Sequence, residues 1–199
     1  GLNLCPFAKA VIARDQVRHV LSDATTPEAL LETLGEELLR LRDAPAADVD
    51  TTLIVHPRVL GDFLDYNDFL DDADALVEQL GLDGELQVAS FHPQYRFAGS
   101  GEDDIANFTN RSPWPTLHLL REASIDRAVE NYPDVDDIPA NNIERLEAMG
   151  RSGWEKLGIQ TRVSGDDWVR ACPAHGQRKQ PPGDGDQRDD EGGDGDGGE

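Results

Sequence analysis

The sequence predicts a single α/β domain built on a small, mostly parallel sheet with flanking helices, and three observations predict it. Two short apolar runs, "TTLIVHP" and "ELQVASFHP", have the length and composition of interior strands. Longer segments before and between them carry apolar residues at helical spacing. The resulting order of strand, helix, strand, helix, strand argues for parallel pairing through crossovers. A chain of 199 residues is long enough to bury one sizeable core.

Each element has its own signal. "CPFAKAVIARD" opens on Pro6, suited to a first helical turn, and brings Phe7, Ala10, Val11 and Ala13 toward one side. "QVRHVLSD" alternates Val17, His19 and Leu21 against Arg18, Val20 and Ser22, as a strand would. The clearest helix is "TTPEALLETLGEELLRLRD": Thr26 caps it, Pro27 takes its first position, and Glu28 favours its positive end. Its stripe is Leu30, Leu31, Leu34, Leu38 and Leu41. After the strand closed by His56-Pro57, "VLGDFLDYNDFLDDADALVEQLG" predicts a helix with Leu60, Phe63, Leu64, Leu70, Leu76, Val77 and Leu80 available for burial, ended by Gly81. The next strand also ends in His-Pro, at His92-Pro93. "ASIDRAVENYP", "NNIERLEAMG" and "SGWEKLGIQTRV" read as short helices with a final turn or strand.

Composition divides the chain. Residues 175–199 hold no apolar side chain larger than proline, so the expectation is a folded domain over 1–174 and a disordered acidic Gly/Asp-rich tail over 175–199. The tail carries eight acidic and three basic residues, which leaves the body a formal −17 of the chain's −22. Such a surface repels nucleic acid and anionic membrane, and no apolar run has the length of a membrane helix. The start of the chain lacks the basic and long apolar regions of a signal peptide. Cys5 and Cys172 show no zinc or CxxC spacing, and with so few thiols a reducing, cytoplasmic setting is expected.

The chemistry concentrates in "HPQYRFAGSGEDDIANFTNRSPWPTLHLLRE", residues 92–122, which follows no simple period. His118 and Glu122 are four apart in a segment that reads equally as helix or strand, and either period puts them on one face. That pair fits a general base with its orienting partner, two metal ligands, or a surface ion pair. Arg111 stands among Asn107, Asn110 and Ser112, donors that suit a carboxylate or phosphate pocket, although Asn and Ser also form turns and caps. Arg121 joins that face only in a helix. His92 ends its strand beside Tyr95 and Phe97, where open α/β sheets collect ligands or where a capped core histidine sits. His56 ranks lower for want of such neighbours. Cys5, ahead of a first helical turn, has a thiolate favoured by the helix dipole, or is simply a small buried residue. The sequence lacks GxxxxGK[ST], GxGxxG, GxSxG and HExxH, so nucleotide cradles, the hydrolase elbow and helical zinc-protease chemistry have no support.

The segments "GLNLCPFAKAV", "FHPQYRFAG", "NFTNRSPWPTLHLLREASIDRAV" and "YPDVDDIPANNIERLEAMG", in that order, resemble a bacterial domain of unknown function numbered 1415. The resemblance spans nearly all of residues 1–150 and implies one complete bacterial, cytoplasmic domain. It assigns no activity, cofactor or catalytic residue.

Three readings stay open. One is an enzyme or small-molecule binder whose pocket, from His92, Asn107, Asn110, Arg111, Ser112, His118, Arg121 and Glu122, takes an anionic ligand or a divalent metal. Another is single-thiol redox chemistry at Cys5. The third is a non-catalytic interaction domain in which the polar run folds a long loop onto the sheet. Cofactor and oligomeric state are left unspecified.

Overall fold

The computed structural model describes residues 4–132 and 135–158. In order these form α1 (Ala8–Ala13), β1 (Val17–Leu21), α2 (Pro27–Asp43), β2 (Thr51–Val55), α3 (Phe63–Gln79), β3 (Leu86–Phe91), β4 (Thr116–Arg121), α4 (Glu122–Glu130) and α5 (Ile138–Glu155). Short 3-10 turns occupy Ile105–Thr109 and Val135–Asp137. The acidic tail expected over 175–199, with Cys172 before it, lies outside the described residues.

The α/β class holds, but the sheet is mixed rather than mostly parallel. Its order is β1-β2-β4-β3, and among the described residues only β1 and β2 pair in parallel. β4 lies between β2 and β3 and runs antiparallel to both. The reason is the connection 92–115: Phe91 at the end of β3 pairs with Thr116 at the start of β4, so the chain returns to the edge it left and must run back. "PTLHLLRE", readable as helix or strand from sequence, supplies this central strand. β1, β2 and β3 all run in one direction, as crossovers through α2 and α3 require, and the departure is β4, which a hairpin with a long loop inserts antiparallel between β2 and β3.

Alternation sorts the sheet into two faces. Leu117 and Leu119 of β4 point with Ile54 of β2 and Leu86 of β3 into the main core, packed by Leu30, Leu34, Leu38 and Leu41 of α2. On α3 the buried stripe is Tyr66, Phe69, Ala73 and Val77. The richer apolar set expected there is turned partly outward: Leu64 is 61% exposed. Tyr66 decides this rotation, because its ring is fully buried and its hydroxyl donates to Thr116 O at 2.9 Å.

α2 is fixed at both ends. Thr26 Oγ1 accepts from Ala29 N–H at 3.3 Å at the start, with Pro27 at the first position. Beyond the other end, Arg121 donates to Leu41 O and to Ala44 O at 2.6 Å, carbonyls of the helix terminus, and to Val49 O at 3.3 Å in the approach to β2. Midway, Arg18 of β1 grips buried Glu37 with two bonds of 2.6 and 2.9 Å. A second, smaller cluster of Phe108, Leu146 and Trp154 joins α5 to the 92–115 loop, with Leu4 against it. The two helical segments expected over 141–163 form one element to Glu155, kinked at Gly150, whose φ of 63° suits a glycine.

Candidate functional site

Loop 92–115 has no ladder partner for most of its backbone, so side chains must supply the missing hydrogen bonds. Asn107 does most of this. Fully buried, its Oδ1 accepts from Phe97 N–H at 3.0 Å and Ser100 Oγ–H at 2.7 Å, and its Nδ2 donates to Gly101 O at 2.8 Å. Arg111 lies over the Phe108 ring, its Cζ 4.3 Å from the centroid, and donates to Tyr95 O at 3.3 Å and Glu102 O at 2.8 Å. Burial, followed by the nearby Arg151 charge, pulls its guanidinium below the usual arginine value. Asn110 donates to Ser90 O at 3.3 Å, and Ser112 to Trp114 O at 2.6 Å. Asp104 caps the 3-10 turn by accepting from Ala106 N–H at 2.9 Å.

The two strand-ending histidines converge, and they do so around α3. Tyr66 stacks on His56 with centroids 5.7 Å apart and planes at 19°, and its centroid is 5.0 Å from that of His92. Phe63 flanks His92 on the outer side at 5.5 Å, followed by Tyr95 at 5.3 Å from Phe63 and Phe97 at 5.1 Å from Tyr95. Both imidazoles are buried. Desolvation pushes His56 down to about 4 and lowers His92 as well, so both are neutral near pH 7.

His118 is elsewhere. It lies on the sheet face opposite the core, in register with Leu53 and Ala89, and its Nε2 meets Thr51 Oγ1 at 2.7 Å. Because the Thr51 hydroxyl donates to Leu119 O at 2.6 Å, the imidazole Nε2–H donates to Thr51 Oγ1. Burial lowers this histidine to about 4 as well. Glu122 opens α4 while His118 belongs to β4, so the two share no single period and the one-face argument does not apply. Glu122 N–H donates to Glu85 O at 3.0 Å.

The residues expected as one pocket therefore occupy four places. Asn107, Asn110, Arg111 and Ser112 are inside the loop, and His92 lies at the sheet edge beneath it. His118 is on the sheet face, and Arg121 and Glu122 are at the far end of β4. Cys5 is exposed and precedes α1, a six-residue helix with no side-chain cap. Among the described residues no group of three His, Cys, Asp or Glu could hold a metal ion. A cleft between the N-terminal segment and α5 is lined by Pro6, Tyr132, Ile138, Asn141, Asn142 and Arg145, none of them expected from the sequence. The features that sequence reasoning underrated are His56, Tyr66 and Thr51. The doubled strand-His-Pro ending is a signal for the first, and nothing in the sequence marks the other two.

A family described as "Protein of unknown function (DUF1415)" matches residues 1–156. No curated protein and no solved structure matches the chain.

Proposed function

We propose for this chain, which belongs to the DUF1415 family, that the domain is a non-catalytic interaction module whose loop 92–115 is a prefolded platform on the sheet edge. The observation that carries the reading is Arg111. A planar guanidinium in a ligand pocket keeps its fork free for a carboxylate or phosphate, whereas here two of its three nitrogens, Nε and Nη2, already donate to loop carbonyls and the group lies over Phe108. Asn107 likewise meets only loop groups. Among the side chains that the loop leaves outward are Gln94, Arg96, Phe97, which is 39% exposed, and the acidic Glu102, Asp103 and Asp104, and these are the groups available for recognition.

A small-molecule reading is favoured by one observation, the His118 and Thr51 pair. A neutral imidazole beside a hydroxyl on the sheet face has the makings of a general base. Its weakness is that the Thr51 proton is already donated to Leu119 O. The redox reading rests on Cys5, and a helix as short as α1 offers its thiolate little dipole support.

Arg111→Ala tests the assignment. Losing two bonds and a ring contact is expected to lower stability by about 2 kcal/mol, measured by thermal melting, with no change in the response to a panel of phosphates, carboxylates and divalent metals. A panel member that stabilises the native chain and fails to stabilise the variant would reinstate the pocket.

A further inference from the structure

The turn that leaves β2, residues 57–61, is held by histidines from two different strand ends. His56 Nδ1 faces Val59 O at 3.2 Å, and His92 Nε2 faces Leu60 O at 3.2 Å. A carbonyl only accepts, so each of those ring nitrogens carries a proton. His92 Nδ1 accepts from Gln94 N–H at 3.0 Å, which leaves that ring neutral with both nitrogens engaged. His56 Nε2 is then a bare lone pair, buried and without a hydrogen-bond partner among the described residues. Between the two anchored carbonyls, Leu60 sits at φ 56°, a left-handed conformation that a side chain disfavours and that surrounding contacts must hold.

We propose that this turn is an acid-released latch: proton uptake by His56 and His92 frees residues 57–61 from the sheet edge before the sheet itself unfolds. The chemistry follows from the contacts. A proton on His92 Nδ1 sets a donor against the Gln94 N–H, and a proton on His56 Nε2 places a cation among buried groups with no acceptor. Each charge also opposes the other across Tyr66, whose own hydroxyl burial keeps protonated. The charged and titratable groups facing the pair are Asp62, Tyr66 and Tyr95. The Leu60 carbonyl, Asp62 and the Gly61 backbone favour a protonated His92, as the Val59 carbonyl favours a protonated His56, but desolvation outweighs them, and the Asp62 carboxylate already accepts from Leu64 N–H and Asp65 N–H.

The direction of the effect is fixed by the environment. Burial holds both imidazoles below 6.5 in the closed turn, and an open turn rehydrates them. The open form thus binds more protons, so the latch is fully held above about pH 6.5 and weakens as the pH falls toward 4.

An amide NMR titration of the full chain from about pH 7.5 to about pH 3.5 reads this directly, since that range brackets the ordinary imidazole value and the value of about 4 to which burial pushes His56. The expected result is that Arg58, Val59, Leu60, Gly61 and Gln94 amides lose their native shifts in a transition steeper than one proton, while Thr52, Ile54, Leu117 and Leu119 keep theirs. Turn and strand amides moving together, or turn amides unmoved throughout, would overturn the proposal. The neutral double variant His56→Asn, His92→Gln retains a donor for each carbonyl and should hold the turn across the range. A variant that releases at the same pH as the native chain would assign the transition to Asp62 and end the latch. Should the variant fail to fold, the imidazole resonances of the native chain decide: release must track the protonation of both rings. This outcome is independent of the interaction reading, which concerns the outer face of loop 92–115.

Discussion

The helix-covered face of the sheet and loop 92–115 are both well buried in places, yet they are held by opposite means. On the covered face, Leu30, Leu34, Leu38 and Leu41 of α2 meet Ile54, Leu117 and Leu119 of the sheet, and attraction scales with apolar area. Inside the loop, beside the apolar Phe108 and Trp114, the fully buried Asn107 has carbonyls and amides as its neighbours. The helices close their own backbone bonds, so their side chains are free to be apolar. The loop has no ladder, so its polar side chains take that part. A dense run of Asn, Asp, Arg and Ser is thus what a long folded connection requires, with or without a ligand.

Cutting the covered face should cost most. Leu38→Ala removes a fully buried side chain from between α2 and the sheet, with an expected loss of about 3 kcal/mol in denaturant unfolding. The loss should be global: every amide protected by the sheet should exchange faster by the same factor. A local effect confined to α2 would mean that the face is divided into independent parts, and the contrast with the loop would weaken.

Asn107→Ala addresses the other side of the comparison. It removes the acceptor of Phe97 N–H and one partner each of Ser100 Oγ–H and Gly101 O, which keep Phe97 O and Asp104 N–H. The expected cost is about 2 kcal/mol, concentrated in the loop because the sheet does not depend on those bonds. Limited proteolysis should cut the variant between 95 and 105 while the sheet retains its protection. Equal loosening of loop and sheet would show that Phe108, Leu146 and Trp154 couple the two more tightly than the polar contacts suggest.

Much of the fold was legible from local pattern. α2 obeys its capping residue, its Pro27 and its leucine period, and β2 and β3 obey their apolar runs. The direction of β4 was not legible, because it depends on where residues 92–115 return the chain, which no local period records. The outward turn of Leu64 escaped for a related reason: burial of Tyr66 requires an acceptor at Thr116, fifty residues away in sequence. For the candidate site, the position of the histidines at strand ends was readable from the repeated His-Pro. Their pairing around Tyr66 was not, and neither was the separation of His118 from Glu122 by a strand-to-helix junction. Residue types declare what a side chain can bind, and only the return of the chain decides whether backbone or solvent meets it.

Arg121 breaks the simple contrast, since it is a polar side chain acting on carbonyls within the helix-covered half. Its guanidinium gathers Leu41 O, Ala44 O and Val49 O, fixing the exit of α2 and the approach to β2 at one point. Arg121→Lys is the sharpest probe of that role. The ammonium keeps the positive charge that favours the negative end of the helix, but it cannot span three carbonyls as a planar fork does. The expected loss is about 1 kcal/mol, smaller than for Asn107→Ala because charge and one bond survive. Hydrogen exchange should place it in residues 41–51, the stretch that the fork ties together. A loss as large as that of Leu38→Ala would mean that α2 is docked as much by its last turn as by its leucine face. The covered half would then share with the loop a dependence on one polar residue meeting many backbone groups.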